Sequence, residues 1–194
     1  RAAGDPAISA RWSANEKVAY EEALGMSFVG RRALVSMKHV GLNVAADPFI
    51  NSALTGVNGG LVLVVADDPG MHSSQNEQDS RYFGELAQIP VFEPANQQAA
   101  YDLTLRAFPY SEDIGLPVMI RLVTRLAHSR ANVALRPPEA SGGAGTGQPG
   151  AAGGRPMADP GHWTLVPSVA RGRFRRLVEM QKRLLEDSES SPGN

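Results

Sequence analysis

Apolar side chains recur at three- and four-residue spacing from Glu16 to about Val29, through Ala19, Ala23 and Met26, and predict an amphipathic helix. Ala33-Leu34-Val35-Ser36-Met37 follows as a short buried strand. Leu42 to about Leu54 again has a helical pattern, but it contains Pro48, which kinks a helix or opens a second turn. Gly59-Gly60 then breaks the chain ahead of its strongest strand, Leu61 to Ala66. That run is apolar without alternation, as in a parallel strand covered on both faces.

The alternation continues. A helix is expected from Asn76 to Leu86, a short strand at Ile89-Pro90-Val91-Phe92, and a helix from Asn96 to about Tyr110, ended by Pro109. Pro117 to Val123 closes the series as a strand. Strands separated by helices of this length imply an α/β fold: an open, mostly parallel sheet with helices on both faces. Such sheets bind ligands beyond the carboxyl ends of their strands, which points to Met37–Asn43 and Ala66–Glu77. From Pro137 to Gly161 the composition turns to Gly, Ala and Pro, as in a flexible linker. Beyond it, Trp163 to Pro167 reads as extended, Ser168 to Glu186 as an amphipathic helix, and Ser188 to Asn194 as a frayed tail. The expected organisation is therefore a domain at 1–136, a linker at 137–161, and a helical segment at 162–194.

Composition narrows the classes of function. With 42% hydrophobic and 20% charged residues over 194 positions, the chain can build a globular core. A net charge of -1 gives no overall pull toward nucleic acid or an anionic membrane. The absence of cysteine excludes disulfides, iron–sulfur ligation and a cysteine nucleophile within these residues. No apolar run approaches the roughly 20 residues of a membrane span, and no basic-then-apolar leader opens the chain, so a cytoplasmic location is expected. The first residue is Arg1, so a processed chain or a fragment is the expectation.

Three segments carry candidate chemistry. Glu16 stands three residues after Ser13, the spacing of a capping box, and reads either as a helix cap or as a catalytic carboxylate. Met37-Lys38-His39-Val40-Gly41-Leu42-Asn43 reads either as a ligand-binding loop or as a solvated turn capped by Asn43. Ala66 to Asp79 is dense in polar groups. Asp67, Asp68, His72, Ser73 and Ser74 could support acid–base or nucleophilic chemistry there, or the segment could be a polar loop whose Ser74 and Glu77 cap a helix. The four histidines, His39, His72, His128 and His162, share no ligand-like spacing, so no metal site is expected. Neither a nucleophile elbow nor a phosphate-binding glycine motif occurs. The arginines of the last helix suit a solvated face packed on a neighbouring domain better than a nucleic-acid surface.

Together, Ser13–Ala19, Met37–Pro48 and Val65–Asp79, with Pro117–Arg121, Thr124-Arg125 and His128-Ser129-Arg130, closely resemble the alpha subunits of the indolepyruvate:ferredoxin oxidoreductases. The resemblance spans about residues 12–135. The broader family is the thiamine-diphosphate-dependent 2-oxoacid:ferredoxin oxidoreductases. It implies a thiamine-diphosphate-binding fold, here the part that holds the aminopyrimidine, and an oxidoreductase that decarboxylates arylpyruvates to aryl-acetyl-CoA with ferredoxin as acceptor. In that class a glutamate hydrogen-bonds pyrimidine N1′, and Glu16 matches its place. The resemblance sets Met37, His39, Gly41 and Asn43 beside the cofactor, and Asp68, His72, Ser73 and Gln75 on the substrate side. It implies coenzyme A, ferredoxin, a second subunit and a diphosphate-binding domain as partners.

Several family features are missing from these residues: the first strand with its small-residue loop, the G-D-G…Asn signature for magnesium and diphosphate, and the cysteine-rich segment. The expectation is thus a domain truncated at both ends and not competent alone, with magnesium and iron–sulfur clusters bound elsewhere. Two alternatives remain: a non-catalytic assembly module, and the same chemistry on another 2-oxoacid such as pyruvate.

Overall fold

The structure is a computed structural model and describes residues 8–136 and 160–191. The expected linker therefore lies, except for its last two residues, outside the described residues. Four parallel strands form one sheet: β1 (Ala33–Lys38), β2 (Leu61–Asp67), β3 (Val91–Phe92) and β4 (Val118–Val123), in the order β1-β2-β4-β3. Helices α1 (Glu16–Phe28), α2 (His39–Thr55), α3 (Arg81–Ala87), α4 (Gln97–Ile114), α5 (Thr124–His128) and α6 (Pro167–Glu189) complete it.

The apolar run of β2 explains its place. Leu61, Val62, Leu63 and Val65 are fully buried between two neighbouring strands, and Val118, Met119 and Ile120 of β4 join them. Burying each such side chain contributes about 1.5–3 kcal/mol. β1 differs from the expected buried strand. It is an edge strand that buries only Val35 and Met37, while Leu34, Ser36 and Lys38 are exposed.

α1 starts on Asn15, whose side-chain oxygen accepts a hydrogen bond from the Val18 amide at 3.0 Å. Ser13, the expected cap, instead donates to the Glu22 carboxylate at 2.9 Å. Asn15 directly adjoins the helical run, so it takes the cap, and Glu16 becomes the first helical residue. From that position it cannot reach back to close a capping box. Tyr20 joins α1 to α2: its ring meets Phe49 edge-on at 5.9 Å, and its hydroxyl pairs with Ser52 at 2.8 Å.

α2 begins at His39, directly after β1, and runs through Pro48 without breaking. α4 likewise continues through Pro109 to a left-handed cap at Gly115. α3 is shorter than expected. Its start is delayed to Arg81 because the buried Asp67 carboxylate accepts the Ser80 amide at 3.0 Å and holds 76–80 as a loop. The expected Ser74–Glu77 capping box is absent, and Glu77 accepts instead from the Gly70 amide at 2.9 Å.

α6 packs on the same sheet domain through Leu177. Its polar contacts reach Thr55 of α2, Gln88 after α3, and Tyr110 and Asp113 of α4. These lie toward the C-terminal ends of the helices, where the strands begin. At the same end Trp163 stacks on Phe28 with ring centres 4.0 Å apart.

Candidate functional site

Parallel strands in register end together, so β1, β2 and β4 deliver Lys38, Asp67 and Val123 to one edge of the sheet. The first turns of α2 and α5 and the loop from Asp68 to Ser80 stand over that edge.

Glu16 and Gly41 meet there. A Cβ on Gly41 would lie 2.6 Å from Glu16 Cγ and 2.8 Å from its Oε1, so the carboxylate rests where only glycine leaves room. Glu16 is half-buried, and its carboxylate makes no hydrogen bond or ion pair with another described residue. An acceptor held against a bare backbone without a protein donor suits a ligand that donates a hydrogen bond, such as a protonated ring nitrogen.

The neighbouring residues hold the loop. Lys38 Nζ donates to the Ser73 carbonyl at 2.9 Å. His39 is buried, with Nε2 3.2 Å from the Asn76 carbonyl and Nδ1 3.4 Å from that of Ala66. Met37 is buried in the core, and Asn43 lies on the exposed surface of α2, inside the helix rather than at its cap.

The adjacent carboxylates Asp67 and Asp68 take different partners, and both are buried. Asp68 accepts from Thr124 Oγ1 at 2.6 Å and the Ser73 amide at 2.7 Å. The Thr124 hydroxyl, and after it the Ser73 amide, holds the Asp68 carboxyl well below the usual carboxylate range. Asp67 accepts from Arg121 Nε at 2.6 Å, and Arg121 Nη1 also pairs with Glu93. The second oxygen of Asp67 is buried without a hydrogen-bond partner. Arg81 binds Asp79 and lies 3.6 Å from Glu93, and its hydrogen bond holds the Asp79 carboxyl at about 2. Arg121 thus ties the end of β2 to the residues after β3.

His72, Ser73 and Gln75 are exposed at the loop tip. Gly70 (φ 84°) and Met71 (φ 53°) turn the chain there through two successive left-handed residues. Two clefts flank the loop. One of about 370 Å³ is lined by Pro69, His72, Val123, Thr124, Arg125 and His128. The other, about 390 Å³, lies over Glu77, Asp79, Arg81 and Arg121. Arg121, Thr124 and Glu93 have no part in the sequence-based site. An arginine inside the apolar run of β4 is the signal that could have found the first, because a buried charge demands partners.

Among the described residues no group of three or more His, Asp or Glu side chains is placed to hold a metal ion. No described helix is long and apolar enough to cross a membrane.

No protein-family model matches the chain. It is 55% identical over 124 residues to the indolepyruvate oxidoreductase subunit IorA of Archaeoglobus fulgidus, covering 64% of this chain and 20% of that one. Against the IorA subunits of Pyrococcus abyssi and Methanothermobacter thermautotrophicus, identity is 43% over 189 and 42% over 183 residues. Each of these two alignments covers 94% of this chain and 28% of the relative. The chain therefore spans between a fifth and somewhat over a quarter of these relatives. Among solved structures, a 2-oxoglutarate:ferredoxin oxidoreductase from Magnetococcus marinus, with 2-oxoglutarate, coenzyme A and succinyl-CoA bound, superposes with a TM-score of 0.61. That match has 13% identity and covers 92% of this chain and 37% of the other, so it establishes a shared fold. Over the stretch it shares with them, this chain is a homologue of the IorA subunits of indolepyruvate oxidoreductase.

Proposed function

We infer that the chain supplies the pyrimidine side of a thiamine-diphosphate site in an oxidoreductase that converts an arylpyruvate to an acyl-CoA and passes the electrons to ferredoxin. A diphosphate-binding domain, of the same or a neighbouring chain, would complete the site. The observation that carries this reading is the Glu16 carboxylate, half-buried, without a partner among the described residues and seated on Gly41. Thiamine diphosphate, when bound, supplies the carbanion chemistry that releases carbon dioxide from a 2-oxoacid.

Each protein group then has a definite task. Glu16 accepts a hydrogen bond from pyrimidine N1′ and so biases where the proton sits on the ring. Gly41 keeps the approach to that carboxylate clear. Met37 and Asn43 flank the same turn, whereas His39, between two backbone carbonyls, acts by holding the loop. Asp68 fixes the loop's base through Thr124 and Ser73. His72, Ser73 and Gln75 are left to meet the polar end of the oxoacid.

The test uses the assembled oxidoreductase carrying these residues, followed anaerobically as indolepyruvate-dependent reduction of a ferredoxin surrogate. Glu16→Gln is expected to lower kcat by about 10²–10⁴-fold, the usual contribution of a positioned proton-transfer group. A rate within a few-fold of the parent enzyme would remove Glu16 from the mechanism and favour the docking-module alternative.

A further inference from the structure

The cleft of about 370 Å³ beside the 68–80 loop has a chemistry of its own. Its apolar wall is Pro69 and Val123, and around it stand the polar side chains of His72, Thr124, Arg125 and His128. Thr124 is committed to Asp68 and to the Asp67 carbonyl. The other three are exposed, and among the described residues none of them makes a side-chain hydrogen bond or an ion pair. The buried Asp68 carboxylate accepts from Thr124 and Ser73 and forms no ion pair with Arg125.

This contrasts with the other arginines of the same edge, Arg81 and Arg121, which are both held by carboxylates. A guanidinium left without an acid, beside two imidazoles that can each donate a hydrogen bond, is a donor set for an oxyanion. The backbone supports the arrangement. Met71 occupies the left-handed region, and the turn it forms with Gly70 leaves the His72 ring beside Gly70, where a Cβ would lie 3.1 Å from Nε2.

We propose that Arg125, His128 and His72 form a binding site for an oxyanion carried on an apolar body, with Pro69 and Val123 as the wall that body covers. The shared chemistry has two sources in the proposed reaction: the carboxylate of an arylpyruvate and a phosphate of coenzyme A. The inference rests on the oxidoreductase reading for the carrier of the anion, but the donor set and cleft stand without it.

The experiment is a binding titration of the full 194-residue chain, monitored by nuclear magnetic resonance of the histidine rings. Three probes are used separately: indole-3-propionate, coenzyme A and inorganic phosphate. Saturable shifts of the His72 and His128 resonances are expected with at least one organic probe, and phosphate alone should bind more weakly because it covers no apolar wall. Saturation by indole-3-propionate identifies the carboxylate as the source; saturation by coenzyme A identifies the phosphate. Arg125→Gln and His128→Asn should each weaken that binding by about tenfold or more, as expected for loss of a charge-assisted hydrogen bond. Both positions are exposed, so the backbone spectrum should keep its dispersion. Arg171→Gln, which removes the same charge from α6, should leave affinity within twofold.

Absence of saturable ring shifts up to several millimolar probe overturns the proposal. So does equal weakening by Arg171→Gln and Arg125→Gln, which would mark a general charge effect. Because the titration needs neither thiamine diphosphate nor turnover, its failure leaves the Glu16 role standing, and the rate of Glu16→Gln decides that role separately.

Discussion

The two ends of the sheet are built on different principles. Where the strands begin, α6 closes the molecule by packing: Leu177 is buried, Trp163 stacks on Phe28, and ion pairs such as Arg183–Asp113 sit at the rim. Where the strands end, polar groups are buried and the loop is tied by the Lys38 ammonium, the His39 ring and the Asp67 and Asp68 carboxylates, the last two accepting from the Ser80 and Ser73 amides. Packing seals an edge against ligands, whereas a polar clasp fixes a loop's course and still leaves side chains such as Glu16 and His72 open. The difference suits one end to holding the fold and the other to the proposed chemistry.

The sharpest way to break that comparison is to remove the clasp's charge. Arg121→Met leaves Asp67 buried without its cation, and truncating one member of a buried pair costs about 3–5 kcal/mol. Urea unfolding of the full chain measures this. A loss below about 1 kcal/mol would mean that the polar end contributes little to holding the fold.

A smaller effect falls on activity rather than stability. Gly41→Ala places a methyl group 2.6 Å from Glu16 Cγ, so the carboxylate must move. Misplacement on the scale of 1 Å costs on the order of 10²-fold in rate. The assembled enzyme should therefore lose kcat while its Tm changes little. Full activity would show that the seat of Glu16 has no catalytic consequence.

The smallest effect belongs to the packed end. The Tyr110 hydroxyl donates to Asp187 at 2.9 Å, joining α4 to α6. Burial, and then the Asp187 bond, push its phenol up to about 12. A group with a raised folded-state pKa contributes fully below its ordinary value near 10, and that contribution is lost as pH rises through about 12. Tyr110→Phe should cost about 1 kcal/mol at neutral pH. It should also flatten the decline in stability between pH 10 and 12 relative to the parent. An unchanged decline would assign it to other groups.

Much of this architecture is legible in local pattern. The unbroken apolar run of β2 announces a central parallel strand, and the helical spacing after Asn15 and Asn96 announces α1 and α4. The errors have a common cause. Ser13 and Asn15 are both good caps, and only the geometry chooses Asn15. Ser74 and Glu77 have capping spacing, yet Asp67 claims the Ser80 amide and Glu77 turns to Gly70. Pro109 is expected to end α4, but the helix carries on to Gly115.

The sequence by itself determined the α/β alternation, the two central strands and the edge at which polar loops gather, because these follow from periodicity and turn residues, and it singled out Glu16 as a candidate. Tertiary structure alone decided which polar groups pair and which stay available. Asp67 meets Arg121 across 54 positions and Asp68 meets Thr124 across 56. Glu16 comes to rest on Gly41 only when α1 packs against α2. Partnerships of that kind depend on distance in space, which no spacing along the chain encodes.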